Sequence, residues 1–432
     1  MLVEGLGLRF KPPQPALGKD ETVQGVQRYE VVDGTSSPRW WLRFQNLTSS
    51  RGGMTARDQI NAYLENLTKV GKSFKVTIDE PIRPTGAAGE GCFVVLESAL
   101  PDGGTGTSGW VIVPTGEDRY LVCSIVAPTA TFADVLPSLR AAFTSMAVLS
   151  PDQVVAERRE RIDRGTAVVR FGKERLHEAL QEEPLLFRVY REGRRPDGAD
   201  AAEIGWMTVR AIEGMRGEVD ASRDPKKLEG EEKENGLLVI VQAKTIVDGD
   251  ATNMVDSESR YWLAWDRSSE IWSIRATQRQ RDAARTTSQT GIRTSARRGD
   301  PRPILRVINS TGLGEPQEWA VPPNYLSQAE LIMLGRLLPR DRPDPAPFAS
   351  YAYDPKTNGL PQRIDHYARN GDGTWTLETR IGAAPVPLFQ TFDEKGNRMK
   401  RVDVDAVGTV VTERIAPEKL KAIWRGKGLP IQ

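Results

Sequence analysis

Arginine is the most concentrated chemistry-bearing side chain in this sequence. Between residues 275 and 306, nine arginines stand at positions 275, 279, 281, 285, 293, 297, 298, 302 and 306, opposed only by Asp282 and Asp300. That segment carries a formal +7, although the whole chain sums to +1. Guanidinium groups present planar forks that match carboxylate and phosphate oxygens. The chemistry on offer is therefore anion binding, with Arg275, Arg279, Arg281, Arg285, Arg293, Arg297 and Arg298 as the candidate residues. The segment is also rich in Ser, Thr and Ala, which predicts a long loop over 279–303. The plainer alternative is a solvated loop balanced by the acidic run at 229–234. No aromatic residue interleaves these arginines, which argues against single-stranded nucleic acid as the anion.

A second set of candidates is aromatic. Trp40 and Trp41 are adjacent, and Trp262, Trp265 and Trp272 fall in one expected hairpin. Successive strand residues point to opposite faces, so one tryptophan of each close pair is expected to leave the core and face a ligand or a protein partner. The alternative is burial on both faces.

Other motifs lack the context their chemistry needs. Gly104-Thr105-Gly106-Thr107-Ser108-Gly109 matches the dinucleotide fingerprint, but a strand-like Trp110–Val113 follows where a helix must begin. It reads instead as a flexible hairpin loop. Gly71-Lys72-Ser73 lacks the preceding P-loop glycine, since Asn66 stands there. Asp248-Gly249-Asp250 and Asn370-Gly371-Asp372 fail the EF-hand pattern at its sixth or twelfth position, which leaves solvated turns or a loop calcium site. His366 adjoins Asp365, and two neighbours on a strand cannot converge as a catalytic pair. His177 lies on a charged helix. Carboxylates are plentiful, so a two-carboxylate hydrolase stays open, but no pair is singled out. No catalytic, metal or cofactor site is assigned.

The elements that must position these residues follow from periodicity. Strands alternate around Gln27–Val32 and Trp40–Leu47, then at Phe74–Ile78, Gly91–Ser98, Trp110–Pro114 and Tyr120–Val126. Amphipathic helices are expected over Ala56–Val70 and about Thr131–Met146. The opening Gly7-Leu8-Arg9-Phe10-Lys11-Pro12-Pro13, the helix around Ile60–Leu67, and the hairpin-into-helix stretch Trp110–Met146 resemble the Mog1/PsbP-like α/β/α sandwich family. The resemblance implies an antiparallel sheet with packed helices over 1–149 and a partner-binding or accessory role, and it carries no active-site residue. Ser150-Pro151 opens a charged helix, and 150–184 reads as a helical connector. Beyond it come an antiparallel β block over 185–325 that includes the arginine-rich loop, and a helix plus a second β block over 326–432, either separate or one domain. Ser327 and Glu330 form a capping box ahead of Leu331–Leu338. The topology of this region is loosely similar to the half-barrel sheets of lipoprotein-carrier proteins.

The expected fold class is α+β. The two cysteines, Cys92 and Cys123, exclude a disulfide scaffold; both read as buried thiols, with a single disulfide as the alternative. No apolar run reaches the length of a membrane-spanning helix. The N-terminus lacks the basic, apolar pattern of a signal peptide, which reads as cytoplasmic, with the cell envelope as the alternative if a leader has been removed. The resulting expectation is a non-enzymatic binding or accessory protein without a cofactor. Its partner is a protein or a small ligand, and near-neutral net charge argues against nucleic acid. The alternatives are a carboxylate-dependent hydrolase and an anion- or lipid-binding envelope protein.

Overall fold

The computed structural model describes residues 2–429, apart from 14–15, 24–25, 36, 100–103, 194–200, 248, 281–282, 295–301, 311–314, 341–345, 383–385 and 406–407. The chain is α+β with antiparallel sheets. It divides into two compact units, one built on 1–160 and one on 161–382 and 387–432.

In the first unit the order is β1 (Leu2–Val3), β2 (Leu8–Arg9), β3 (Ala16–Val23), β4 (Val26–Asp33), β5 (Trp41–Thr48), α1 (Ala56–Lys69), β6 (Phe74–Ile82), β7 (Gly91–Ala99), β8 (Thr105–Gly116), β9 (Arg119–Pro128), α2 (Thr129–Thr144) and β10 (Ala147–Val148). Seven strands form an antiparallel sheet in the order β3-β4-β5-β9-β8-β7-β6. Cys92, Val94 and Leu96 of β7 face one side, where Ile60 of α1 packs. Phe93 and Val95 face the other, against Phe132, Leu139 and Phe143 of α2. Burial on both faces explains why β7 and β9 read as nearly continuous apolar runs. The two cysteines are free and buried in these opposite layers. Residues 105–109, expected as a hairpin loop, instead belong to β8 and pair with β7. There Gly109 has functional use as a small residue, since a Cβ would meet the Val94 carbonyl oxygen at 2.8 Å.

From the first unit the chain continues through α3 (Pro151–Val168) into α4 (Lys173–Glu178), β11 (Gln181–Arg191), β12 (Ala202–Met215), β13 (Asn235–Val247), β14 (Asp250–Ala264), β15 (Glu270–Gln280), β16 (Ala283–Thr294), β17 (Ile304–Asn309), β18 (Gln317–Ala320) and α5 (Gln328–Leu337). It ends with β19 (Phe348–Tyr351), β20 (Gln362–Arg369), β21 (Trp375–Ile381), β22 (Leu388–Phe392), β23 (Arg398–Asp405), β24 (Gly408–Arg414) and α6 (Pro417–Gly426). The fourteen strands make one sheet, because β24 returns to pair with β11 and so joins the two β blocks. Among the described residues its edge strands, β18 and β19, are not hydrogen-bonded to each other along the backbone, but side chains of β18 reach the segment that follows β19. Trp319 lies 5.7 Å from the ring of Tyr353, and Asn358 Nδ2 donates to Gln317 Oε1 at 2.5 Å. The sheet thus curls until its ends meet.

The arginine-rich stretch is corrected by this topology. Residues 283–294, expected within a long loop, form β16, which pairs with β15 over its whole length. Ser, Thr and Arg gave a loop-like composition, but β-branched threonine also suits a pleated strand. Thr277 and Thr286 meet across the pair, their Oγ1 atoms 2.9 Å apart.

α5 fills the curled sheet. Its Ala329, Met333, Leu334 and Leu337 join one apolar cluster with Phe187, Val209, Leu237, Trp272 and Leu377 from widely separated strands. A helix whose first turn is set in the core must satisfy its polar end there. Glu330 completes the capping box by accepting from Ser327 N at 2.8 Å, and Ser327 Oγ accepts from Glu330 N at 3.2 Å. Glu330 also pairs with Arg267 at 2.5 Å. Beside it, Glu270 pairs with Arg293 at 3.3 Å and accepts from the Tyr325 hydroxyl at 2.9 Å. The other end of the helix approaches the sheet closely at Gly335, where a Cβ would sit 2.2 Å from the Phe392 ring.

Removing one charge from a buried pair costs about 3–5 kcal/mol, so Glu330→Leu is expected to lower the stability of the whole chain by that order. Arg267→Met with Glu330→Leu should cost less than the two single changes added together. A double-mutant cycle in urea is expected to give a coupling of about 1–3 kcal/mol; a coupling of zero would show that the pair does not hold the helix.

Candidate functional site

The pleat distributes the arginines of 275–306 over two faces. Arg285 is in register with Gln278 and Arg293 with Glu270, on the face that carries Trp272. Arg275 and Arg279, in register with Ser288 and Ala284, lie on the opposite face. Arg279 pairs with Asp256 at 3.2 Å and Arg306 with Glu318 at 3.4 Å. Arg293 is buried against Glu270. The structure brings two of the run, Arg293 and Arg302, to one cavity of about 630 Å³ with Arg267, and separates Arg275, Arg279, Arg285 and Arg306 from it; Arg281, Arg297 and Arg298 lie outside the described residues.

The tryptophans separate as strand alternation requires. Trp40 is buried, while Trp41 is exposed and in register with exposed Val126. Trp262 is buried beneath the 3-10 turn Arg216–Val219 and donates to the Gly214 carbonyl at 3.1 Å. Trp272 is buried in the main core, and Trp265 packs at that core's margin and stacks on His177 at 3.9 Å. Asp365 is buried and His366 is on the other side of β20. The five buried carboxylates among the described residues, Asp33, Glu203, Glu270, Glu330 and Asp365, each sit in an ion pair with an arginine. Among the described residues no cluster of His, Cys, Asp and Glu is arranged to hold a metal, and no helix is long and apolar enough to cross a membrane.

A larger set of converging arginines comes from elsewhere in the chain. A cavity of about 660 Å³ opens in the second unit between the end of α3, α4, the C-terminus of α5 and β20. Among the described residues Arg164, Arg170, Arg175 and Arg340 line it with no carboxylate, together with Val168, Phe171, Leu337, Leu338, Phe348 and Tyr367. Each side chain is set by its element. Arg175 on α4 donates to the carbonyls of Leu337 and Leu338 at 3.0 and 2.7 Å, closing the end of α5, and holds Glu178 at 2.9 Å. Arg340 turns back to the Gly335 carbonyl at 3.0 Å. Arg164 donates to the Pro347 carbonyl at 2.8 Å. Arg170 is exposed at the rim.

The electrostatics of the cavity are set by several arginines held close together at a helix end. Burial lowers the pKa of Arg340, and the Arg175 charge lowers it further. Arg336, on the same helix end, is lowered by burial and then by Arg340. Tyr367 is 8% exposed, and its hydroxyl has no hydrogen-bond partner among the described residues. Burial pushes that phenol up to about 12, against the opposing pull of Arg340 and Arg175. An anion here would relieve the arginine repulsion. Sequence reading did not find this set because its members span 164–367 and share no spacing. The one local sign was a charged helix leading into Phe171, which reads equally as a solvated face.

No family model matches the chain, and no curated protein matches it either. The Mog1/PsbP-like resemblance therefore has no counterpart in these comparisons. Among solved structures the chain is similar to a β-barrel-like protein of a domain of unknown function, DUF1849, from Brucella abortus. The two are 8% identical with a TM-score of 0.36, over 55% of this chain and 96% of that one.

Tyr367 gives a pH prediction. Its folded value of about 12 lies above the ordinary 10.0, so the folded state holds the phenol neutral where the unfolded chain already ionises it. Its contribution is complete below pH 10 and is lost as pH rises toward the folded value. Tyr367→Phe should lose less stability than the wild type between about pH 9 and about pH 11, measured by urea denaturation. Equal losses would place the hydroxyl in water.

Proposed function

We propose that this protein is a non-enzymatic binding protein and that its ligand site is the arginine-lined cavity of the second unit, which takes an organic anion. The observation that carries this reading is the convergence of four arginines with no carboxylate among the described lining residues. Fixed cations in a partly desolvated pocket repel one another until an anion enters, and hydrogen bonds to charged groups contribute about 1.5–3 kcal/mol each. The cavity also has the size of small-molecule sites, roughly 300–1,000 Å³.

Binding fits better than turnover. The ionisable groups that line the cavity are arginines and a tyrosine near 12, and general acid–base catalysis favours groups that titrate near the working pH. The hydrolase alternative needs two available carboxylates, and the buried ones are each held by an arginine. The resemblance of the first unit to Mog1/PsbP-like sandwiches brings no residue to this site, and a docking role for that unit rests on the exposed Trp41–Val126 pair.

The test is titration of the full chain with anilinonaphthalenesulfonate, a fluorescent organic anion. One saturable site is expected, weakened at least about tenfold in Arg170→Gln/Arg340→Gln, the loss of about one charged hydrogen bond. Dye binding that both substitutions leave unchanged would overturn the reading.

A further inference from the structure

We propose that the second unit holds one monatomic anion, a chloride or another halide, between α5 and the hairpin that joins β22 to β23. The site is a cavity of about 20 Å³ walled by Leu185, Phe187, Val209, Met333 and Phe392, which gives room for one ion or one water. It shares no lining residue with the larger arginine-lined cavity, and its lining residues and their chain neighbours all lie among the described residues. Two guanidinium groups line it. Arg336 comes from the last turn of α5, and Arg398 opens β23 beside an irregularity in its pairing with β22. The turn before Arg398 depends on Gly396, whose φ is +81° and where a Cβ would overlap the Gly335 carbonyl oxygen. That close approach sets the hairpin against the helix end and brings the two arginines to one cavity.

Both Nε atoms are buried, and neither has a hydrogen-bond partner among the described residues. The rest of the Arg336 fork is occupied. Its Nη1 donates to Asn397 Oδ1 at 2.6 Å and to Gln181 Oε1 at 3.2 Å, and its Nη2 donates to the carbonyls of Glu178 and Leu180. Arg398 has no carboxylate at ion-pair distance among the described residues and lies over the Phe187 ring at 4.8 Å. Burial, reinforced by the Arg401 charge, pushes the Arg398 guanidinium down to about 10, the direction expected of a cation held without a counter-ion. The cavity thus presents two N–H donors on positive groups, while its amide oxygens, Asn397 Oδ1 and Gln181 Oε1, already accept from Arg336. A water would accept from both donors but bring no charge, and its own protons would meet occupied oxygens or apolar wall. A halide accepts from both, supplies the negative charge and has no proton to place. A phosphate or carboxylate exceeds the volume.

The experiment uses the full chain and two readouts. Crystals of the wild type grown in sodium bromide are expected to show one anomalous peak between Arg336 Nε and Arg398 Nε. A site that holds only a water at high bromide overturns the proposal. In urea denaturation at constant ionic strength, with gluconate replaced stepwise by chloride, the folding constant is expected to grow about tenfold per tenfold chloride once the dissociation constant is passed. Arg398→Met should abolish both responses. In gluconate alone it should be at least as stable as the wild type, because an apolar side chain replaces a charge without a counter-ion. Chloride dependence that survives Arg398→Met belongs to another part of the chain and overturns the assignment. A bromide peak without any chloride dependence marks an adventitious ion only and overturns it as well. The bromide measurement needs no variant, so it decides the question even if Arg398→Met does not fold.

Discussion

The second unit depends on keeping a helix terminus satisfied in the middle of a core. Fourteen strands curl around α5, and a helix in that position exposes its first amides to apolar surroundings. The solution is a compact set of charges: Glu330 folds back on Ser327 and pairs with Arg267, while Glu270 takes Arg293 and Tyr325. Burial raises the pKa of Glu270, Arg293 and Tyr325 pull it down, and the nearby Glu330 charge raises it again. Such a cluster adds little net stability over an apolar core of the same volume. What it supplies is position. Arg267 follows β14, Glu270 lies on β15 and Arg293 on β16, so the helix start is tied to three neighbouring pieces of the sheet. A slip of α5 by one turn would leave the buried Glu330 without its arginine.

Fixing one end of α5 fixes the other, and the candidate site is built on that other end. The last carbonyls of the helix face Arg175 and Arg340, and Arg336 reaches the carbonyls of Glu178 and Leu180 at 3.1 and 3.0 Å. Cations at a helix C-terminus are each worth about 0.3–1 kcal/mol. That accounts for part of the basic cluster, but not all of it. Arg336 and Arg340 are lowered by burial and by each other's neighbourhood, so the cluster exceeds the cation density the helix end alone stabilises. Arg170 and the Tyr367 hydroxyl make no contact with the helix carbonyls in the described hydrogen bonds. They are the groups that distinguish a ligand site from a cap.

Local signals in the sequence were sufficient where an element has one apolar face or a specific cap. The periodicity of Ile60, Leu64 and Leu67 and the Ser327–Glu330 box placed α1 and α5 close to their observed limits. The same local signals misread 283–294 because its strand is polar on both sides over much of its length, so alternation is nearly silent there. What makes it a strand is pairing with β15, an eleven-residue partner that local composition does not reveal. The joining of the two β blocks through β24 and β11 was likewise beyond local reach. Val410–Arg414 meets Phe187–Arg191 across more than two hundred residues of chain.

Charge shows the same limit in a sharper form. A run of nine arginines in sequence suggests a concentrated cationic surface, and a near-zero net charge suggests none elsewhere. Both inferences treat neighbours in the chain as neighbours in space. On a strand they are not: the pleat sends Arg275 and Arg279 to one side and Arg285 and Arg293 to the other, and Arg279 and Arg293 each find a carboxylate. The arginines that gather most densely are those on helix ends and turns, Arg170, Arg175 and Arg340, drawn from segments that each look balanced or solvated alone. A fold whose core is a curled sheet around one helix gathers such residues at the helix terminus, because α3, α4, α5 and β20 all approach it there. Local potential in this protein is therefore set by topology, and the sum of formal charges carries no information about where an anion would bind.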